Sequence, residues 1–207
     1  MQDMLYALDI FGTFAFAVAG ALKAARHELD ALGVLVLATV TGVGGGMVRD
    51  MMLAYGPPAV LHNDAYLLVC LAGGLLVFFF ARGVAARRNL VRYADAVGLG
   101  VFTAIGGAKA MAFGLGGLPV VFLAVLTATG GGVIRDVLVG EVPAVLRTDF
   151  YATASILGAV ALLGLAALGS PPLEQLAGSA AVTTGLRLMA IWLRMRLPRI
   201  PRVDDDD

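Results

Sequence analysis

The 207-residue chain has one cysteine, one tryptophan and two histidines, and only 14% of it is charged. An ordinary soluble domain carries roughly 25% charge. Each shortage excludes something. Cys70 stands alone in the run "YLLVCLAGGLLVFFF", so no disulfide forms within the chain. Without a His/Cys cluster, neither a metal centre nor a cofactor is expected. No nucleophile–base pair and no paired catalytic carboxylates emerge, so an enzyme is not expected. Fifteen basic and fifteen acidic residues cancel, and overall charge gives no reason to expect a nucleic-acid partner. The N-terminus lacks a basic segment, and Asp3 and Asp9 flank the first apolar stretch. A cleaved signal peptide is therefore not expected.

What is present is apolar. Hydrophobic residues make up 59% of the chain with its 27 glycines left out, and mean hydropathy is +0.88. One soluble core of this size cannot hide that much apolar surface. The class is an all-α, polytopic protein of the cell membrane.

A spanning helix needs about 20 apolar residues. Seven such stretches are read, at 4–22, 31–48, 65–81, 94–113, 118–134, 150–169 and 174–193. They form one transmembrane domain over residues 1–193, followed by a basic then acidic tail over 194–207. The densest basic loop holds Arg82, Arg87, Arg88 and Arg92 and is placed in the cytoplasm. That choice also puts Lys23 and Arg26, Arg135 and Arg147, and the C-terminal Arg194, Arg196, Arg199 and Arg202 inside. The N-terminus is then outside, and only Arg49 breaks the trend. The basic C-terminal segment is expected either on anionic lipid headgroups or as a simple stop-transfer flank.

Shifted by 86 residues, the chain matches itself without a gap. Asp9, Gly12, Phe16, Gly20 and Lys23 meet Asp95, Gly98, Phe102, Gly106 and Lys109, and "TGVGGGMVRD" meets "TATGGGVIRD". There are 18 identities over residues 9–57. The first copy spans 4–81, the second 90–169, and the seventh helix at 174–193 stands outside. Three spans per copy invert the second copy in the membrane, and sites in such proteins lie between corresponding broken helices.

The broken helices should be the second and fifth, at Gly44, Gly45 and Gly46 and at Gly130, Gly131 and Gly132. Glycine costs about 1 kcal/mol relative to alanine inside a helix. Freed carbonyls at a break could coordinate a cation such as K+. The other use of such glycines is close helix packing. Arg49, Asp50, Arg135 and Asp136 follow the glycines. Neighbours on a helix point about 100° apart, so each pair is not expected to neutralise itself. Each arginine should instead meet freed carbonyls or a carboxylate on another helix, and the pairs should sit at the two mouths of one pathway or lock helix ends. Lys109 reads as deep and far from other charges, and could gate or repel cations or snorkel to the interface. For Lys23, snorkelling is the reading. Asp9 and Asp95 read as helix-start residues. Thr41, Thr127 and Thr129 could turn hydroxyls toward an ion or simply pack.

Two three-span repeats, a seventh span and the doubled "GGGMVRD"/"GGGVIRD" resemble the trimeric intracellular cation channels, their prokaryotic branch in particular. The resemblance covers about residues 4–193. It implies a homotrimer with one pore in each protomer, lined by spans two and five. The permeant ion would be potassium, sodium or another monovalent cation. It also implies that Gly44 to Gly46 and Gly130 to Gly132 are the kink glycines, and that Lys109 matches a span-four lysine linked to voltage sensing in animal members. Their Lys-Glu-Val sequence is absent, so voltage and lipid regulation are not carried over. Some bacterial relatives are associated with glycine uptake, which leaves a transporter of a small neutral solute as the alternative.

Overall fold

A computed structural model describes residues 2–54, 56–84, 89–147 and 150–195. Arg87, Arg88 and most of the C-terminal tail, including Arg196, Arg199 and Arg202, lie outside the described residues, as does the side chain of Arg82. The described chain is all-helical: α1 Gln2–Arg26, α2 Ala31–Met52, α3 Ala65–Val84, α4 Leu90–Ala112, α5 Gly117–Leu138, α6 Ala144–Arg147, α7 Ala152–Ala167 and α8 Pro172–Leu193. A 3-10 turn, Ala59–Leu61, precedes α3. Neither it nor the four-residue α6 was expected.

By length and composition α1, α2, α5 and α8 can each cross a membrane, and α3 and α7 hold shorter apolar stretches. The burial pattern is that of a multi-pass membrane protein. Leu32, Phe79, Leu118, Phe122 and Trp192 are exposed, while Asp9, Arg49, Asp95, Arg135 and Arg187 are buried. α4 carries Arg92, Asp95 and Lys109 and packs against α1, α5, α7 and α8. A helix wrapped in protein needs less apolar surface than one wrapped in lipid.

Small residues set the spacing. A side chain on Gly12 would strike Val101 and crowd Phe102, and one on Gly98 would strike Phe16. The Phe16 and Phe102 rings stack 5.2 Å apart. Gly20 admits Thr41 and Gly106 admits Thr127 in the same reciprocal way. The turns repeat as well. α1 ends with the Leu29 N–H donating to the Ala24 carbonyl, and α4 with Leu115 donating to Ala110. This left-handed closure sits on Glu28 (φ 54°) in one copy and on Gly114 (φ 71°) in the other.

Candidate functional site

The glycine triplets do not break their helices. α2 and α5 are continuous α-helix through Gly44–Gly46 and Gly130–Gly132. The expected interruption, with carbonyls freed for an ion, is absent. The glycines bring two backbones together instead. A methyl group on Gly45 would fall on the Thr127 carbonyl oxygen, and one on Gly131 on the Thr41 carbonyl oxygen. The middle glycine of each triplet is thus the point at which α2 and α5 cross. The three threonines do not free their hydroxyl protons for other partners either. Thr41 donates to the Leu37 carbonyl at 2.6 Å, Thr127 to Leu123 at 2.6 Å and Thr129 to Val125 at 2.9 Å, each within its own helix.

The charges after the glycines gather into two clusters. In the first, Arg49 Nε donates to Asp50 Oδ1 at 2.8 Å. Arg49 Nη2 lies 3.7 Å from Asp9 Oδ2, and Lys109 Nζ lies 3.5 Å from the same oxygen and 3.9 Å from Asp50 Oδ1. The Tyr66 hydroxyl donates to Asp9 at 3.2 Å, and the Ala59 N–H donates to Asp50 Oδ2 at 3.1 Å. In the second cluster, Arg135 Nε donates to Asp136 at 3.0 Å and Nη1 to Asp95 at 2.7 Å. The Ala144 N–H donates to Asp136 Oδ2 at 2.9 Å, and Lys23 Nζ lies 3.7 Å from Asp136. Arg187 of α8 stacks over the Tyr151 ring at 4.9 Å.

Three expectations change. Adjacent Arg and Asp do pair, because the arginine is long enough to curl back along the helix and present Nε to its neighbour. Lys109, expected far from other charges, has two carboxylates within 4 Å. Asp9 and Asp95 are not helix-start residues at the interface. They lie one to two turns inside α1 and α4, are 4% exposed, and face the arginines. They supply the neighbouring-helix carboxylate that sequence reasoning asked for but did not locate. Their signal was present: both aspartates and both arginines repeat in one register.

Asp9 and Lys23 are fourteen residues apart on α1, a rise of about 21 Å, so the clusters stand near opposite ends of that helix. Each lysine reaches a carboxylate of the other repeat, Lys23 to Asp136 and Lys109 to Asp50. A cavity of about 720 Å³ opens beside the first cluster, with Asp50, Lys109, Tyr6, Tyr66, His62 and Phe113 among its walls. A cavity of about 540 Å³ opens beside the second, with Lys23, Asp95, Arg135, Asp136, Glu141 and Arg187 among its walls. Gly45 meets Thr127 and Gly131 meets Thr41, so α2 and α5 cross antiparallel, and the Arg-Asp pair that follows each triplet by about one turn lies on the opposite side of the crossing from the other. The arrangement is two charge-lined cavities, one beside each Arg-Asp pair, with a narrow seam of packed backbone where α2 and α5 cross.

Comparison with known proteins agrees with this architecture. The sequence model described as "Glycine transporter" matches residues 6–82 and 92–167, one stretch in each repeat. The inner membrane protein YadS of Escherichia coli is 42% identical over 200 residues, covering 94% of this chain and 95% of that protein. A solved trimeric intracellular cation channel orthologue from Rhodobacter sphaeroides is 38% identical with a TM-score of 0.88, covering 93% of this chain and 99% of that one. A prokaryotic channel of the same kind, solved in 0.5 M KCl, is 33% identical with a TM-score of 0.89, covering 95% and 100%. The chain belongs to this family of trimeric intracellular cation channels, in which one fold carries the name of a glycine transporter in its sequence model and of a cation channel in its solved relatives.

Proposed function

We propose that the chain is a monovalent-cation channel, permeable to potassium, with one pore inside each protomer of a homotrimer. The supporting observation is the pair of charge-lined cavities beside the Arg-Asp ends of α2 and α5. Solved relatives of the same fold are named as cation channels. In this reading α1–α3 and α4–α7 are two inverted halves, α8 is the seventh span, and α6 is a short element within a loop. Gly44–Gly46 and Gly130–Gly132 line the narrow centre, where a K+ ion would pass. Arg49, Asp50, Lys109, Arg135 and Asp136 form the mouths. The first cluster faces outward with the N-terminus, and the second faces the cytoplasm. The protein moves a solute and does not transform one, so no cofactor is needed.

The second reading is a transporter of a small neutral solute. One observation favours it: both mouths pair a lysine with carboxylates, which suits a zwitterion at least as well as a bare cation. A planar bilayer under a potassium gradient separates the two. The channel gives discrete current steps that reverse near the potassium potential. Silence there, together with saturable glycine uptake by proteoliposomes, establishes the transporter instead.

A further inference from the structure

The two mouths differ in one respect that the repeat does not predict. In the connection after α5, Glu141 reaches back to the other half of the molecule. Lys23 Nζ donates to Glu141 Oε2 at 2.6 Å, and His27 Nε2 stands 2.8 Å from Oε1. Lys23 lies in the last turn of α1 and His27 just beyond it. One carboxylate thus ties the end of α1 to the α5–α6 connection, and all three residues line the second cavity. Among the described residues the first mouth shows no such tie. Eighty-six residues earlier, Glu141 corresponds to Tyr55, and eighty-six later His27 corresponds to Phe113.

We propose that Glu141 is a strap that closes the second mouth, and that His27 makes it respond to pH. The strap is tight when the imidazole is charged and slack when it is neutral. The hydrogen bond from Lys23, helped by His27, holds the Glu141 carboxyl below the usual carboxylate range. Glu141 therefore stays ionised over the range in which histidine ordinarily changes charge. Protonation of the imidazole places a positive charge 2.8 Å from a carboxylate oxygen.

The other groups on the walls do not reverse this sign. From α1 comes Arg26, from α4 Arg92, from α6 Arg147 and from α8 Arg187. Arginines stay charged throughout and set a constant positive field. Asp95 and Asp136 are engaged by Arg135, and Asp136 is also the second carboxylate near Lys23. Protonating His27 adds to the positive field of the mouth as it tightens the strap, and both effects oppose cation entry. The consequence for current rests on the channel reading above, whereas the strap itself does not.

Two measurements test the proposal separately. In a Cys70→Ala background, spin labels at Leu29 and Leu146 report the distance between the end of α1 and α6. The expected result is a narrow, short distribution at about pH 6 and a broader, longer one at about pH 8. His27→Gln should remove the pH response, and Glu141→Gln should give the broad distribution at both values. Identical distributions at both pH values, unmoved by Glu141→Gln, overturn the strap. In bilayers, lowering the pH on the second-mouth side alone should cut open probability severalfold, and His27→Gln should abolish that response. Currents that respond to pH equally in wild type and His27→Gln overturn the pH assignment. No current at all, with the label distances behaving as expected, leaves the strap standing and removes the channel reading.

Discussion

Arg135 and Arg49 occupy equivalent positions, 86 residues apart, yet their surroundings differ. Arg135 is held by Asp136 at 3.0 Å and by Asp95 at 2.7 Å. Arg49 is held by Asp50 at 2.8 Å, but Asp9 lies 3.7 Å away and Nη1 has no hydrogen-bond partner. A cavity of about 20 Å³, room for one water, adjoins Asp9, Thr13, Arg49 and Asp50. At the first end Lys109 competes with the arginine for Asp9. At the second end Lys23 is drawn off to Glu141, and Asp95 is left to Arg135. A two-fold repeat of sequence has therefore produced two unequal arginine sites, one held by two short carboxylate bonds and one by a single such bond. The difference accompanies residues outside the repeat, Tyr66 at the first end and Glu141 and Arg187 at the second.

The largest expected effect tests the feature both halves share. Replacing Gly45 or Gly131 with leucine drives a side chain into a carbonyl oxygen of the facing helix. Overpacking in a close-fitted core costs about 1–3 kcal/mol, and more where backbone is the obstacle. Loss of monodisperse protein in detergent is the expected outcome. Gly46→Ala is the control within the same triplet. Its nearest neighbour would be Arg49 Nη2 at 3.6 Å, so helix propensity should leave stability unchanged or raised by about 1 kcal/mol. If all three positions tolerate alanine equally, the triplets are not a packing seam.

The next effect should separate the two clusters. Arg135→Met strips the guanidinium from buried Asp95 and should cost about 3–5 kcal/mol, the usual penalty for breaking a buried pair. Arg49→Met should cost less, about 1–3 kcal/mol, because Asp9 keeps the Tyr66 hydroxyl and Lys109. Thermal unfolding of the purified protein measures both. Adding Asp95→Asn should recover part of the loss in Arg135→Met. Equal costs for the two arginine variants would show that the distances do not reflect the energies.

Much of this was legible in the sequence, for physical reasons that can be named. Lipid demands long apolar segments, so the helices announced themselves. A motif used twice left its register in Asp9, Lys23, Gly44–Gly46, Arg49 and Asp50. Side-chain reach was not legible. Helical phase gives the direction of a Cα–Cβ bond but not where a guanidinium four bonds further out returns, so the Arg49–Asp50 pairing was missed. The glycines were misread because cost and benefit lie on different links. The propensity penalty is local and visible, whereas the gain comes from a helix 86 residues away. Glu141 was invisible as a site because it breaks the repeat, and its partners meet only across the folded mouth.

The smallest expected effect concerns the turns, where the repeat allows a clean comparison. α2 closes through Ala54 at φ 50°, and α5 closes through Gly140 at φ 70°. The same backbone is needed at both places, since the N–H of each donates to the carbonyl three residues back, at 3.2 and 3.0 Å. A residue with a Cβ pays about 1–2 kcal/mol in this left-handed region. Glycine avoids that cost but gives the unfolded chain more freedom, which returns about 0.4–1 kcal/mol. Ala54→Gly should therefore stabilise the protein by about 0.5–1 kcal/mol, and Gly140→Ala should destabilise it by a similar amount. No atom stands within 4 Å of a Cβ built on Gly140, so the second change reads backbone strain free of crowding. Opposite shifts in the unfolding temperature are the expected pattern. Two shifts of the same sign would mean that the turn after α2 is held by its surroundings and not by its own conformation.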